Sequence, residues 1–211
     1  MTLSDAERDF LAQFIVESDA IEGISRPYAD VRAQIDEEYA LGHVGAYMHL
    51  LAAHDVAAPL SKELICRTQA LIVSEQGEYG ERSLPERWVG KWRDIGVMVG
   101  GRLCPDPKTI PGAMVGFVRG VRRWQKHESH SMTPEENVRF IAQSHFSYEH
   151  THPFADGNGR SGRALVYFLY RHAGLTPFVF TAHDRRETYY PAFASSEAMV
   201  EYFLARTKLE A

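Results

Sequence analysis

Residues 152–163 read His-Pro-Phe-Ala-Asp-Gly-Asn-Gly-Arg-Ser-Gly-Arg. This short stretch holds an imidazole, a carboxylate, a run of small residues and two guanidinium groups. Gly157, Asn158 and Gly159 lead directly into a helical pattern. Small residues there let backbone N–H groups approach a ligand closely, and a helix N-terminus attracts anions. Arg160 and Arg163 are three apart and share one face of the first turn. Two guanidinium groups beside an open helix N-terminus make a polyphosphate site. Asp156 sits at the mouth of that turn, where a single carboxylate can hold Mg2+ while water and phosphate oxygens complete its shell. His152 precedes the loop, and an imidazole with pKa near ~6.5 suits a general base at neutral pH. The chemistry this assembles is phosphoryl or nucleotidyl transfer by positioning and charge stabilisation. Singly, His152 reads as a satisfied buried histidine, the two arginines as surface charges, and Asp156-Gly157 as a turn. Jointly, those readings require one loop to meet every requirement by accident.

HPFADGNGR followed by Arg163 resembles the Fic signature HPFx(D/E)GNGRxxR and matches it at every specified position. Weaker similarity extends outward, to the helix before the motif and to a Gly-Gly flap-like segment followed by Pro105 and Pro107. It covers most of the chain from about residue 8. The resemblance implies a protein adenylyltransferase using ATP and Mg2+. His152 would deprotonate a Tyr, Ser or Thr hydroxyl of a target protein, whose oxygen attacks the α-phosphorus as pyrophosphate leaves. Asp156 would hold Mg2+. Gly157, Asn158 and Gly159 would form the anion nest, Arg160 would brace the phosphate chain, and Arg163 would hold the γ-phosphate. Pro153 and Phe154 would fix and support the loop. Relatives with Lys in place of Gly159 resemble the Doc-type branch, which moves a terminal phosphate; Gly159 favours AMP transfer.

Residues 18–23 read Ser-Asp-Ala-Ile-Glu-Gly. Ser18 and Glu22 are four apart, hence on one helical face. Taken alone, the pattern is a helix ending at a Gly cap. Beside the motif, it resembles the inhibitory (S/T)xxxE(G/N) helix of Fic proteins. There the Glu pairs with the second motif Arg, here Arg163, and forces ATP into an unproductive pose. The same resemblance places Arg93 to Arg102 as a flap that binds the target's backbone by β-addition; otherwise it is an ordinary, short hairpin. The resemblance also puts Tyr189 and Tyr190 near the adenine. Many relatives carry an Asn a few residues further on, where this chain has Ser195 and Ser196.

The elements that must position these groups are mostly helical. Ser4 and Glu7 form a capping box before Phe10, Leu11, Phe14, Ile15 and Ser18, with Gly23 as the stop. A second helix is expected over about Tyr28 to His54, and a third from near Ser61. Residues from Gly77 to Pro111 read as loop with a small β-hairpin, Gly100-Gly101 marking its turn. A helix with Met114, Phe117, Val118, Val121 and Trp124 follows. Thr133, Pro134 and Glu136 open the next, whose inner face carries Val138, Ile141, Ala142, His145 and Phe146. Its successor runs from near Asn158 to about Ala173, stopped by Gly174. Pro191 kinks or splits a last helix between Asp184 and Ala205. The expectation is one all-α domain over residues 1–211, with an inhibitory helix at about residues 4–23 and a short hairpin flap over the site.

With 211 residues, 45% apolar and 24% charged, the chain can bury a core. A net charge of −5 points to neither nucleic acid nor an anionic membrane surface as partner. Arg119, Arg122, Arg123 and Lys126 read as a solvated helix face. Two cysteines, Cys66 and Cys104, form no CxxC pair and fit a reducing cytoplasm. The opening MTLSDAERDF does not read as a signal peptide, and no apolar run approaches the ~20 residues of a membrane span. His145 and His150 read as packing or capping residues.

Three rivals remain open. AMP removal would use the same residues, with Glu22 positioning water. A metal-dependent hydrolase would use His150, His152 and Asp156, but lacks further ligands and leaves Gly-Asn-Gly-Arg unexplained. A non-catalytic nucleotide-binding module would have no use for His152.

Overall fold

In a computed structural model, which describes residues 3–37, 40–79 and 83–209, the helix starts follow the capping chemistry of the sequence. The Ser4 hydroxyl accepts from the Glu7 amide at 3.3 Å and the Ser4 amide donates to the Glu7 carboxylate at 2.9 Å, opening α1 (Asp5–Ile21). Glu22 caps its end and Gly23, at φ 85°, stops it. The stretch expected as one helix from Tyr28 to His54 is two, α2 (Tyr28–Ile35) and α3 (Gly42–Asp55). The break follows from Leu41, which is extended, and Gly42, which is left-handed at φ 60°. A Cβ on Gly42 would lie 1.7 Å from the Glu75 carboxylate, so only glycine fits. Residues 38 and 39 of that expected helix lie outside the described residues. Ser61 caps α4 (Lys62–Ser74) at 3.1 Å.

The loop region holds a hairpin of two-residue strands, β1 (Met98–Val99) and β2 (Arg102–Leu103), paired antiparallel with Val99 opposite Arg102. Gly100 and Gly101 both have positive φ, the geometry that a two-residue hairpin turn demands. Helix α5 (Ile110–Arg123) runs into one π-helical turn. The Thr133–Glu136 capping box opens α6 (Pro134–Thr151). α7 (Asn158–His172) ends at Gly174, whose φ is 69°. The expected final helix is split more finely than Pro191 alone required. A π turn over Arg185–Tyr189 and a 3-10 turn over Pro191–Ala194 precede α8 (Ser196–Leu204). Ser195 is extended and its hydroxyl accepts from the Ala198 amide at 3.0 Å, so a new helix starts there.

The fold is therefore all-α with one small hairpin. Helix α7 is its axis: every residue from Arg160 through Tyr170 is buried, as expected of a helix enclosed on all sides. Helices α3, α4 and α6 pack around it. α1 is also part of the core. Phe14 lies edge-on to Tyr47, Tyr167 and Phe180 at 5.4–5.9 Å between centroids, and Leu11 and Ile15 are fully buried. At about 1.5–3 kcal/mol for each large apolar side chain, detaching α1 whole would cost on the order of 10 kcal/mol. No described helix is long and apolar enough to cross a membrane.

Candidate active site

The site forms where α6 ends and α7 begins. His152 caps α6 in the left-handed region, φ 49° and ψ 63°, and its amide donates to the Tyr148 carbonyl at 2.9 Å. A non-glycine residue there is uncommon and costs energy that the surroundings must supply. Burial holds the His152 pKa below the usual histidine value, helped by Arg93 and opposed by the Glu149 carbonyl, Glu22 and Asp156. An imidazole held there is mainly uncharged at neutral pH, the form able to accept a proton.

The loop after it is clamped by Asn158, whose side chain accepts from the Phe154 amide at 2.8 Å and donates to the Phe154 carbonyl at 2.9 Å. Phe154 is buried and packs on Trp92 at 4.9 Å between ring centroids. Gly157 is left-handed at φ 77°, and a Cβ there would come within 2.9 Å of Val73. Gly157 supplies no side-chain cap to the first amides of α7. Asp156 is oriented by two donors: its own carboxylate accepts from the Gly157 amide at 2.6 Å and from Gln76 at 2.9 Å. Gln69 donates to its carbonyl at 3.0 Å. Its side chain is still 48% exposed, with Arg160 4.0 Å away and buried. An oriented, half-exposed lone carboxylate beside an anion nest fits Mg2+, which keeps most of its water.

Arg163 is met by α1. Its Nε donates to the Ser18 hydroxyl at 2.9 Å, and its Nη2 donates to the Ser18 carbonyl and to Glu22 Oε1, both at 2.8 Å. Arg163 is buried, whereas the Glu22 side chain is 34% exposed. Gly159 belongs to this contact too: a Cβ on it would fall 2.3 Å from Glu22 Oε1 and 3.0 Å from Arg163. The residues expected to carry the site, His152, Asp156, Gly157, Asn158, Gly159, Arg160, Arg163, Ser18 and Glu22, are thus gathered at one place.

Several residues around it carried no sequence signal. Asp19 follows Ser18 and bonds the buried His43 at 2.8 Å, with Arg26 at 3.5 Å, tying the last turn of α1 to α3. The Glu17 carboxylate accepts from the Ala182 amide at 2.8 Å. Glu149 is pushed up to about 8 by burial, opposed by Arg163 and reinforced by Glu22, so it is protonated at neutral pH. Arg93 lies beneath the hairpin and bonds the His152 carbonyl at 2.7 Å. These residues are far apart in sequence, and only folding brings them to the site.

The remaining expected residues have structural surroundings. His145 bonds the Tyr189 hydroxyl at 2.8 Å, and burial pushes its pKa down to about 3. His150 stacks on Phe146 and bonds Arg102 of the hairpin. No three His, Cys, Asp or Glu side chains converge as metal ligands among the described residues. Tyr189 is buried, while Tyr190 is 45% exposed beside the end of α1. Ser195 serves as the α8 cap. Arg123 pairs with Glu128 at 2.7 Å, while Arg119, Arg122 and Lys126 are exposed, as on a solvated face.

Among solved structures, a Fic-domain signalling protein from Bacteroides thetaiotaomicron superposes with a TM-score of 0.69 at 21% identity, over 95% of this chain and 84% of that one. Fic-1 from C. elegans gives the same score at 16% identity, over 98% of this chain and 64% of that one. These share the fold. In sequence, the protein adenylyltransferase Fic of Culex quinquefasciatus is 26% identical over 193 residues, 89% of this chain but 37% of its own length. The chain thus spans well under half of the curated relatives it matches. The Fic/DOC family profile matches residues 59–170, more than half of the sequence, and that span contains the whole loop between α6 and α7; the chain belongs to the Fic/DOC family.

Proposed function

We propose that this Fic domain moves AMP from ATP onto a Tyr, Ser or Thr hydroxyl of another protein, and that α1 restrains it. One observation carries this proposal: His152 and Asp156 flank the N-terminus of α7, whose second arginine, Arg163, is held by Ser18 and Glu22. In the forward reaction the His152 ring takes the hydroxyl proton. The hydroxyl oxygen bonds the α-phosphorus, the bond from that phosphorus to the bridging oxygen breaks, and pyrophosphate leaves. The α7 amides and Arg160 stabilise charge developing on the phosphate oxygens. Asp156 would hold Mg2+, which when bound neutralises part of the triphosphate charge. Arg163 is the group left for the γ-phosphate, and Glu22 competes for it. Gly159 leaves no lysine at that position, in keeping with AMP rather than phosphate transfer.

The target would lie along the hairpin, where Met98 and Leu103 are 68% and 70% exposed. Two free thiols, Cys66 and Cys104, suit a cytosolic setting. The adenylyltransferase names of the relatives agree with the activity. The test is ATP labelled separately at the α- and γ-phosphates, supplied with Mg2+ to the Glu22→Gly variant and a cell lysate. Protein-bound label from the α-position alone supports AMP transfer; label from the γ-position alone overturns it.

A second reading is removal of AMP. It is favoured by the position of Glu22, which stands at the nest with a third of its side chain exposed and acts electrostatically on His152. Loss of AMP from a pre-modified target that stops in Glu22→Gly would establish it.

A further inference from the structure

Arg93 is 2% exposed, and among the described residues its guanidinium bonds backbone carbonyls, with Asp106 acting on it electrostatically but not bonding it. A buried guanidinium normally demands a counter-ion. Here backbone carbonyls take that part. Its Nε donates to His152 O at 2.7 Å, Nη1 to Ile95 O at 2.8 Å, and Nη2 to Pro105 O at 2.7 Å and, longer, to Thr151 O at 3.5 Å. Its own amide donates to the Pro153 carbonyl at 2.9 Å. These acceptors fall into two groups. Ile95 and Pro105 are the two feet of the hairpin, closed above by the Cys104 amide bonding Val97 O at 3.0 Å. Thr151, His152 and Pro153 are the turn that carries the base in its left-handed conformation.

We infer that Arg93 is a positioning residue that couples the hairpin to the His152 turn, so that the placement of a target on the flap and the aim of the base are set by one cation. The inference rests on the adenylyl-transfer proposal for its catalytic consequence, but not for the coupling itself. Three features support it. The planar fork reaches both segments at once, which a lysine ammonium on a flexible stem does not reproduce. The strained His152 backbone needs an external hold, and Arg93 grips its carbonyl. The hairpin is only two residues per strand, too short to fix its own orientation.

The test uses the full chain carrying Arg93→Lys, with hydrogen exchange read across the molecule. We expect amide exchange to rise about tenfold or more in both residues 95–105 and 151–155, while α8 and the centre of α7 stay unchanged. In the Glu22→Gly background, Arg93→Lys is expected to lower kcat for label transfer by about ten- to a hundredfold, as a misplaced reacting group does. ATP affinity by titration stays within about twofold. Free guanidinium should restore rate to Arg93→Ala. Exchange that rises in only one segment, or everywhere, overturns the coupling; so does an equal loss of kcat and ATP binding. If the Glu22→Gly parent transfers no label, the adenylyl-transfer proposal fails, and the exchange pattern still decides the role of Arg93.

Discussion

Replacing Glu22 by Gly should change how the chain tells ATP from ADP. In the structure Arg163 holds three acceptors, two from Ser18 and one from Glu22. The substitution removes only the last. A hydrogen bond to a charged group is worth about 1.5–3 kcal/mol, and with the carboxylate a third exposed, about 1–2 kcal/mol is the fitting share. That bounds the coupling to a γ-phosphate at about five- to thirtyfold. ADP has no γ-phosphate and gains little. In isothermal titration the ratio of ATP to ADP affinity should sit near unity in the wild-type chain and rise by about that factor in Glu22→Gly. The lost contact should also lower Tm by about 2–8 °C for a chain of this size, and ATP should recover more of that loss than ADP. Equal gains for both nucleotides would show that Glu22 blocks the site as a whole. No gain for either would show that Arg163 is not the γ-phosphate's partner.

Three further outcomes follow from the same geometry. Glu149, pushed up to about 8 from an ordinary 4.5, keeps a proton that the unfolded chain gives up, so wild-type stability falls as pH rises between those values. Glu149→Gln removes that slope, and the Tm gap between the two proteins should widen with pH and level off near the upper value; a constant gap would refute it. Phe14→Ala should destabilise the fold by about 3–5 kcal/mol in denaturant unfolding, because α1 is core and not a detachable strap. Activity without such a loss would argue for a helix that leaves whole. For His152, burial keeps the pKa below the usual histidine value, so the acid limb of kcat/KM should lie below it. Glu22→Gly, by removing a group that raises it, should move that limb lower still; a limb moving up contradicts the assigned neighbours.

The loop of residues 152–163 was legible because it is contiguous: spacing alone put base, carboxylate, nest and arginines together. Ser18 and Glu22 share one helical face, but their link to Arg163, 145 and 141 positions away, was legible only through the resemblance to the inhibitory helix of Fic proteins. Capping boxes and the Gly100-Gly101 turn also read directly, since their chemistry is local. What failed was decided by tertiary contact. The break before α3 depends on Gly42 lying against Glu75, and nothing between Tyr28 and His54 announces that approach. The final helix was split by the Ser195 cap as well as by Pro191, so two breakers acted where one was noticed. Arg93, Glu149, Asp19 and His43 were invisible for the same reason: a buried polar residue looks like a surface one until its partners are known.

In the proposed mechanism, His152 as base and Glu22 as restraint act on one reaction. The most direct measurement compares wild type, Glu22→Gly and the Glu22→Gly/His152→Ala double variant for transfer of α-phosphate label from ATP with Mg2+ to lysate protein. The proposed mechanism gives little label with the wild type, strong label with Glu22→Gly, and none with the double variant. Label that persists without His152, or that is equal with and without Glu22, would contradict it.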